Sequence, residues 1–294
     1  MKIKRSAASA VFDTVNVVCM ALLAVVTLYP FWNVFIISIS PTAEADAYGL
    51  HLWTSHPLLT GYQMVFKNQQ MLISLRNTFV RTALGTVVNL ALCCLVAYPL
   101  SKKYMPLRNV WTSLIVFTMF FSGGLIPSYL LVTGLGLTDT IWSMILPGAI
   151  PTYSMILVRN YFQSLPPDLE ESARIDGANE IAVLLRIVIP VSVPIIATVA
   201  LWSAVGHWNA WFDALLYIRT PKKVVMQLLL YRMVIQGTNE HLTQLAGSNE
   251  AEFKPAVSIL KAAAIMVSSI PIICVYPFVQ RYFMKGIMVG SLKG

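Results

Sequence analysis

Six stretches of this 294-residue chain run for about twenty residues or more with no more than two charged side chains in each. A helix needs roughly 20 mostly apolar residues to cross about 30 Å of hydrocarbon, so each stretch is a candidate membrane span. They lie at about 15–39, 75–100, 110–132, 141–161, 191–217 and 257–283. Only 12% of the residues are charged, against about 25% in a typical soluble domain, and no stretch reads as a separate soluble domain. The expected fold is therefore all-α, with six transmembrane helices in a single membrane domain covering residues 1–294. The boundary between the third and fourth spans is the least regular. Gly123, Gly124, Pro127 and Pro147 interrupt the apolar pattern there and leave a short polar turn around Thr138 and Asp139.

Lys2, Lys4 and Arg5 precede the first run and give it the look of a secretory signal. At about 25 residues it exceeds the 7–15 of a signal core, so it reads as an uncleaved first span. Orientation follows from Lys and Arg near span ends. In a six-span chain one side carries Lys2, Lys4, Arg5, Lys102, Lys103, Arg108, Arg281, Lys285 and Lys293, joined by Arg159, Arg174 and Arg186. These are twelve of the 21 basic residues, which assigns that side, with both termini, to the cytoplasm; Lys222 and Lys223 weigh against it. The net charge of +8 is thus a matter of membrane topology, since no basic stripe with aromatic platforms points to nucleic acid.

Cys19, Cys93, Cys94 and Cys274 all fall in apolar runs and read as small packing residues. His51, His56, His207 and His241 form no metal motif, and no Gly-rich phosphate loop or nucleophile elbow occurs. No catalytic, cofactor-binding or metal-binding residue is expected in this chain. Three connections are long: 40–74 and 218–256 outside, and 162–190 inside. Trp53, Tyr62 and Phe66 in the first suggest a short amphipathic helix along the membrane surface.

The inside connection is the informative one. Pro167 and Asp168 supply a helix start, and carboxylates in the first turns suit the positive end of its dipole. Gly177 permits a sharp turn, a second short helix is expected from Asn179 to Arg186, and Pro190 opens the fifth span. Glu171-Ser172-Ala173, three residues, Gly177, nine residues, then Ile187-Val188-Ile189-Pro190 resembles the signature loop of binding-protein-dependent ABC importers. That signature reads Glu-Ala-Ala, three residues, Gly, nine residues, Ile-x-Leu-Pro. Ser172 and Ile189 depart from it mildly, and Asp176-Gly177-Ala178 agrees with the sugar-transporter form. The resemblance implies a type I importer permease fold and an ATPase-coupling role for Glu170, Glu171, Ser172, Ala173, Asp176, Gly177, Ala178, Ile187 and Pro190. In particular, Glu171 would pair with a basic residue of the ATPase, while Ala173 and Gly177 would allow close approach.

The C-terminus, from Gln280 to Gly294, resembles the tail of the second permease subunit of maltose-type carbohydrate importers, which implies ATPase contact by Arg281 and Lys285. The tail Met284–Gly290 is most similar to importers of acidic polysaccharide fragments such as alginate or pectin oligomers. Trp208, Asn209, Trp211 and Asp213 resemble another sugar-permease segment, where rings can stack on sugars and Asn and Asp can bond hydroxyls. The alternative for these residues is an interfacial aromatic belt. Lys261, a turn into the sixth span, has the sign to meet an acidic substrate, or else snorkels to the surface.

What the family implies is a non-catalytic, multi-pass inner-membrane subunit. Its partners would be two ATPase subunits that bind ATP and Mg, a homologous second permease subunit, an extracytoplasmic solute-binding protein and an oligosaccharide substrate. The alternatives are a secondary carrier working without ATP, for which paired intramembrane acids or inverted repeats would be expected, and an intramembrane enzyme, which needs a polar catalytic pair within the spans.

Overall fold

A computed structural model describes residues 7–47, 49–235 and 257–275. Every regular element among them is helical. Lipid offers no partner for free backbone N–H and C=O groups, so helices, which satisfy their own, are the economical spanning element.

Three helices are long and apolar enough to cross a membrane unaided: Val11–Ile39, Gln69–Ser101 and Val257–Val275. The first lies within α1 (Ala7–Ile39), the second is α4 (Gln69–Ser101), and α2 (Thr42–Ala45) and α3 (Thr60–Lys67) lie between them. The other three expected runs are broken. α5 (Arg108–Phe120) and α6 (Leu125–Gly134) meet at 113°, across a break where Gly124 adopts φ +88°, a conformation that favours glycine. Two 3-10 turns, Ile141–Met144 and Leu146–Gly148, precede α7 (Thr152–Ser164) at 54°. After α8 (Asp168–Ile175), the run Glu180–Val191 comprises α9 (Glu180–Val183), a π-helical turn and α10 (Ile189–Val191). It bends by 86° at Ser192 into α11 (Val193–Asn209), and Pro190 lies just before the bend. α12 (Phe212–Tyr217), α13 (Met226–Val234) and α14 (Val257–Val275) complete the described chain, which has up to six spans if each bent pair crosses once. The expected sixth run extends to 283, and its part beyond Val275 lies outside the described residues.

The chain divides into two compact units. In the first (1–69 and 232–269), α3 lays Gly61 against α14, where an added Cβ would sit 2.6 Å from Ile259 Cγ2. Tyr62 shares a 2.9 Å hydrogen bond with Ser38 of α1. Phe66 is exposed on α3, while Trp53 lies outside the helix and stacks on Trp32. The His51 ring is engaged by Asn33 and the Glu44 carbonyl.

The second unit (70–231 and 270–294) is organised around α4. Its buried positions include Ser74, Thr78, Arg81, Gly85, Asn89, Cys93, Ala97 and Ser101, recurring every three or four residues as one face of a helix. Phe79, Val80, Val87 and Leu95 are exposed. The helix is thus small and polar inside and apolar outside, which suits a lipid-facing helix whose interior must pack closely and bond across. Cys93 and Cys94 pack with Met155, Val158 and Phe162 of α7 and with Val183, Leu184 and Val188. Cys19 and Cys274 are exposed, so packing accounts for only two of the four cysteines.

The turn around Asp139 is a built junction. Its carboxylate accepts from the backbone N–H groups of Arg219 and Thr220 (both 3.0 Å), the Thr220 hydroxyl (2.6 Å) and Lys223 Nζ (2.9 Å). The Thr220 bonds, chiefly, hold this carboxyl well below the usual carboxylate range. The N-terminal end of α4 grips the same segment, Gln70 donating to the Pro221 carbonyl and Asn77 to those of Lys222 and Val224.

Candidate coupling site

α8 starts where its sequence directs. Pro167 occupies the N-cap, and Asp168, Glu170 and Glu171 fill the first turn, where carboxylates meet the helix dipole favourably. It ends before Gly177, whose φ of +81° requires the left-handed region. Asn179 then caps the next helix, its side chain accepting from Ala182 N at 2.8 Å. Among the described residues nothing lies within 4 Å of a Cβ built on Gly177, so the feature that calls for glycine here is its conformation.

The two faces of α8 differ. Glu170 is buried, although the sequence groups it with the docking residues. Its carboxylate accepts hydrogen bonds from Lys102 Nζ, and Arg174 Nη2 lies 3.3 Å from it. An acid on the inner face of α8 has lost its water and must find cations within the chain, which explains its turn inward. Ala173 and Ala178 pack against the core of this unit as well, so their small size serves contacts within the chain. Arg174 Nε donates to Glu180 Oε1 at 3.0 Å, and its Nη2 to Tyr104 Oη at 2.9 Å. Hydrogen bonding to Glu180, chiefly, pushes this guanidinium further above its usual range, against burial, which would lower it. The Tyr98 hydroxyl donates to Glu180 at 2.7 Å, and the Lys102 ammonium sits 4.2 Å from the Tyr98 ring centre. On the opposite face Glu171 and Ser172 are exposed, and Ile175 is 85% exposed. Asp176 and Pro190 are also exposed; Ile187 is half-buried.

The residues expected to line a path separate. Trp208 is buried, edge-on to Phe79 at 4.9 Å. It borders a cavity of about 960 Å³ whose lining also includes Thr82, Thr86, Trp202 and Pro271. Asn209 is exposed at the end of α11. Trp211 stacks on Tyr231 at 4.0 Å, and Asp213 is ion-paired with Arg81, so both are engaged within the protein. Lys261 is half-buried on α14. Arg281 and Lys285 lie outside the described residues.

The sequence reading missed Arg81. Its side chain is 1% exposed, and it donates to the Ala210 carbonyl (2.9 Å) as well as to Asp213. The signal was present, because an arginine six residues into an apolar run must find a partner. Beside it, Gly85 makes room for His207, whose Nε2 would lie 2.5 Å from a Cβ at that position. Asn89, with its amide oriented to satisfy its neighbours, accepts from His207 Nε2 (3.2 Å) and Ser203 Oγ (2.9 Å). Arg159, counted among the basic residues of the cytoplasmic side, donates to the Leu100 carbonyl at 3.1 Å. Among the described residues no group of three or more His, Cys, Asp or Glu is placed to hold a metal ion.

Comparison with known proteins is consistent along the whole chain. The family model described as binding-protein-dependent transport system inner membrane component matches residues 4–289. Protein LplC of Bacillus subtilis (strain 168) is 40% identical over 287 residues, 98% of this chain and 96% of the relative. The polygalacturonan/rhamnogalacturonan transport system permease protein YtcP of the same organism is 36% identical over 285 residues, 96% of this chain and 98% of the relative. A chain in the crystal structure of a bacterial ABC transporter involved in the import of the acidic polysaccharide alginate matches with a TM-score of 0.87 and 32% identity, covering 96% of this chain and all of that one. A chain with this helical order, this signature segment and these relatives belongs to the family of binding-protein-dependent transport system inner membrane components, as a multi-pass ABC-type permease that acts with ATPase activity on partner chains.

Proposed function

We propose that this permease carries acidic oligosaccharides inward and that α8 is where the ATPase engages it. The observation that carries the docking reading is the asymmetry of α8. One face is fastened inside the chain through Glu170 and Arg174, while Glu171, Ser172 and Ile175 are left exposed together on the other. A carboxylate beside an apolar side chain on a rigid helix suits a groove with a basic residue and an apolar floor. In this arrangement both termini and α8 lie on the cytoplasmic side, in keeping with the basic residues of the short connections. The working assembly comprises two ATPase subunits, a homologous second permease subunit and an external solute-binding protein. Substrate is released inward because the outward and inward states bind it with different affinity.

The acidic cargo is supported by the relatives. Polygalacturonan and alginate, named in two of them, are both polymers of sugar acids. The cavity beside Trp208 has the size of a small-molecule site, and the buried hydroxyls of Thr82 and Thr86 on its wall have no hydrogen-bond partner among the described residues. We place Trp208, Asn209 and these threonines on the substrate path; Lys261, in the other unit, is proposed on its own account as a cation for carboxylates. Asp213 and Trp211 act as supports. Arg281 and Lys285 remain proposed ATPase contacts of the tail.

Glu171→Lys tests docking. The variant is expected to insert normally but to lose transport and the ATP hydrolysis stimulated by loaded binding protein; normal coupling would refute the role. A binding screen of the cognate solute-binding protein against neutral and uronic oligosaccharides tests the cargo, and preference for neutral sugars would overturn it.

A further inference from the structure

Lys102 and Glu170 lie outside the Glu-Ala-Ala pattern, yet they form a buried ion pair where α4 ends and α8 begins its inner face. Desolvating two charges is unfavourable unless their geometry is well fixed, and an apolar contact would have served stability equally well. What the pair adds is a directional contact that resists sliding. No continuous helix joins α8 to its neighbours: regular helix is interrupted at Leu165-Pro166-Pro167 on one side and at the left-handed Gly177 turn on the other. A displacement of α8 therefore reaches α4 mainly through side chains. The pair supplies that route, and Arg174 with Tyr98 ties Glu180, beyond the Gly177 turn, into the same cluster.

We propose that Lys102 and Glu170 are positioning residues that lock α8 to the end of α4, so that movement of α8 by the ATPase moves α4 and does not merely flex the flanking turns. This rests on α8 being the docking element, and it assigns transmission, as distinct from docking, to the inner face.

The test uses the complete transporter in proteoliposomes, with its ATPases and substrate-loaded binding protein. K102M and E170M each strand one buried charge. In both, the ATPase subunits should still co-purify, because Glu171, Ser172 and Ile175 are untouched. Transport per ATP hydrolysed should fall about tenfold, and the amides of 168–175 should exchange with solvent faster than in the parent. The double variant K102M/E170M replaces the pair with two packed apolar side chains and should recover to within about threefold of the parent. Unchanged transport per ATP in the single variants would overturn the proposal. So would losses that multiply in the double variant, or single variants that shed the ATPases without recovery in the double. If E171K kept normal coupling while the Lys102 and Glu170 variants lost theirs, the role given to Glu171 would fall and the joint would stand.

Discussion

α4 carries two buried ion pairs, and they differ in what surrounds them. Arg81 with Asp213 lies within the apolar stretch, and its surroundings include the Ala210 carbonyl and, on the same face of α4, Gly85 against His207 and Asn89 against Ser203. Lys102 with Glu170 lies at the end of α4, and its partner helix has a second face with no covering from the described chain. The first pair holds α4 to α12. The second holds one face of an element whose other face is free to meet something else. Burial of charge alone therefore does not separate architecture from function; what the partner element does with its remaining surface does.

That contrast can be broken or sharpened by substitution. Asp213→Asn strands a guanidinium that is 1% exposed, and breaking such a pair costs about 3–5 kcal/mol. The expected value is toward the lower end because the Asp213 side chain is 28% exposed. It should appear as a large drop in thermal stability of the purified permease in detergent; a drop as small as that of a surface variant would remove the distinction. Gly85→Ala drives a methyl into His207, for which about 1–3 kcal/mol is the usual loss from overpacking, read in the same melt. Gly177→Ala forces alanine into the left-handed region, with about 1–2 kcal/mol of strain. Because the turn lies beyond the membrane helices, its effect should register in transport more than in the melting temperature. Asn179→Ala removes a cap worth about 1 kcal/mol. It should quicken amide exchange in 180–183 while leaving the Arg81 region unchanged, and equal quickening in both would show that the two regions are not independent.

The legibility of the two regions was unequal for a physical reason. The coupling segment could be read because its instructions are local: Pro167 and Asp168 start α8, Gly177 reverses the chain, and Asn179 caps α9, each acting on residues within one or two turns. Even there, the division of α8 into an inner and an outer face was not readable. Glu170 and Glu171 are adjacent acids, and the lysine that Glu170 turns in to meet, Lys102, lies 68 residues earlier. The expected path residues show the same limit, since Asp213 is occupied by Arg81, 132 residues away.

By itself the sequence determined the class of solvent, the places where apolar runs begin, and the signature segment, because hydropathy and turn chemistry act over short stretches of chain. The three-dimensional structure decided the angles of 113° and 86° at which two of the broken runs bend, the occupancy of Arg81, and which face of α4 lies inside. In lipid the protein interior is no more apolar than its surroundings, so hydropathy marks a helix as spanning without marking its inner side. That side is fixed by partners distant in the chain, from Asp213 at one pair to Glu170 at the other.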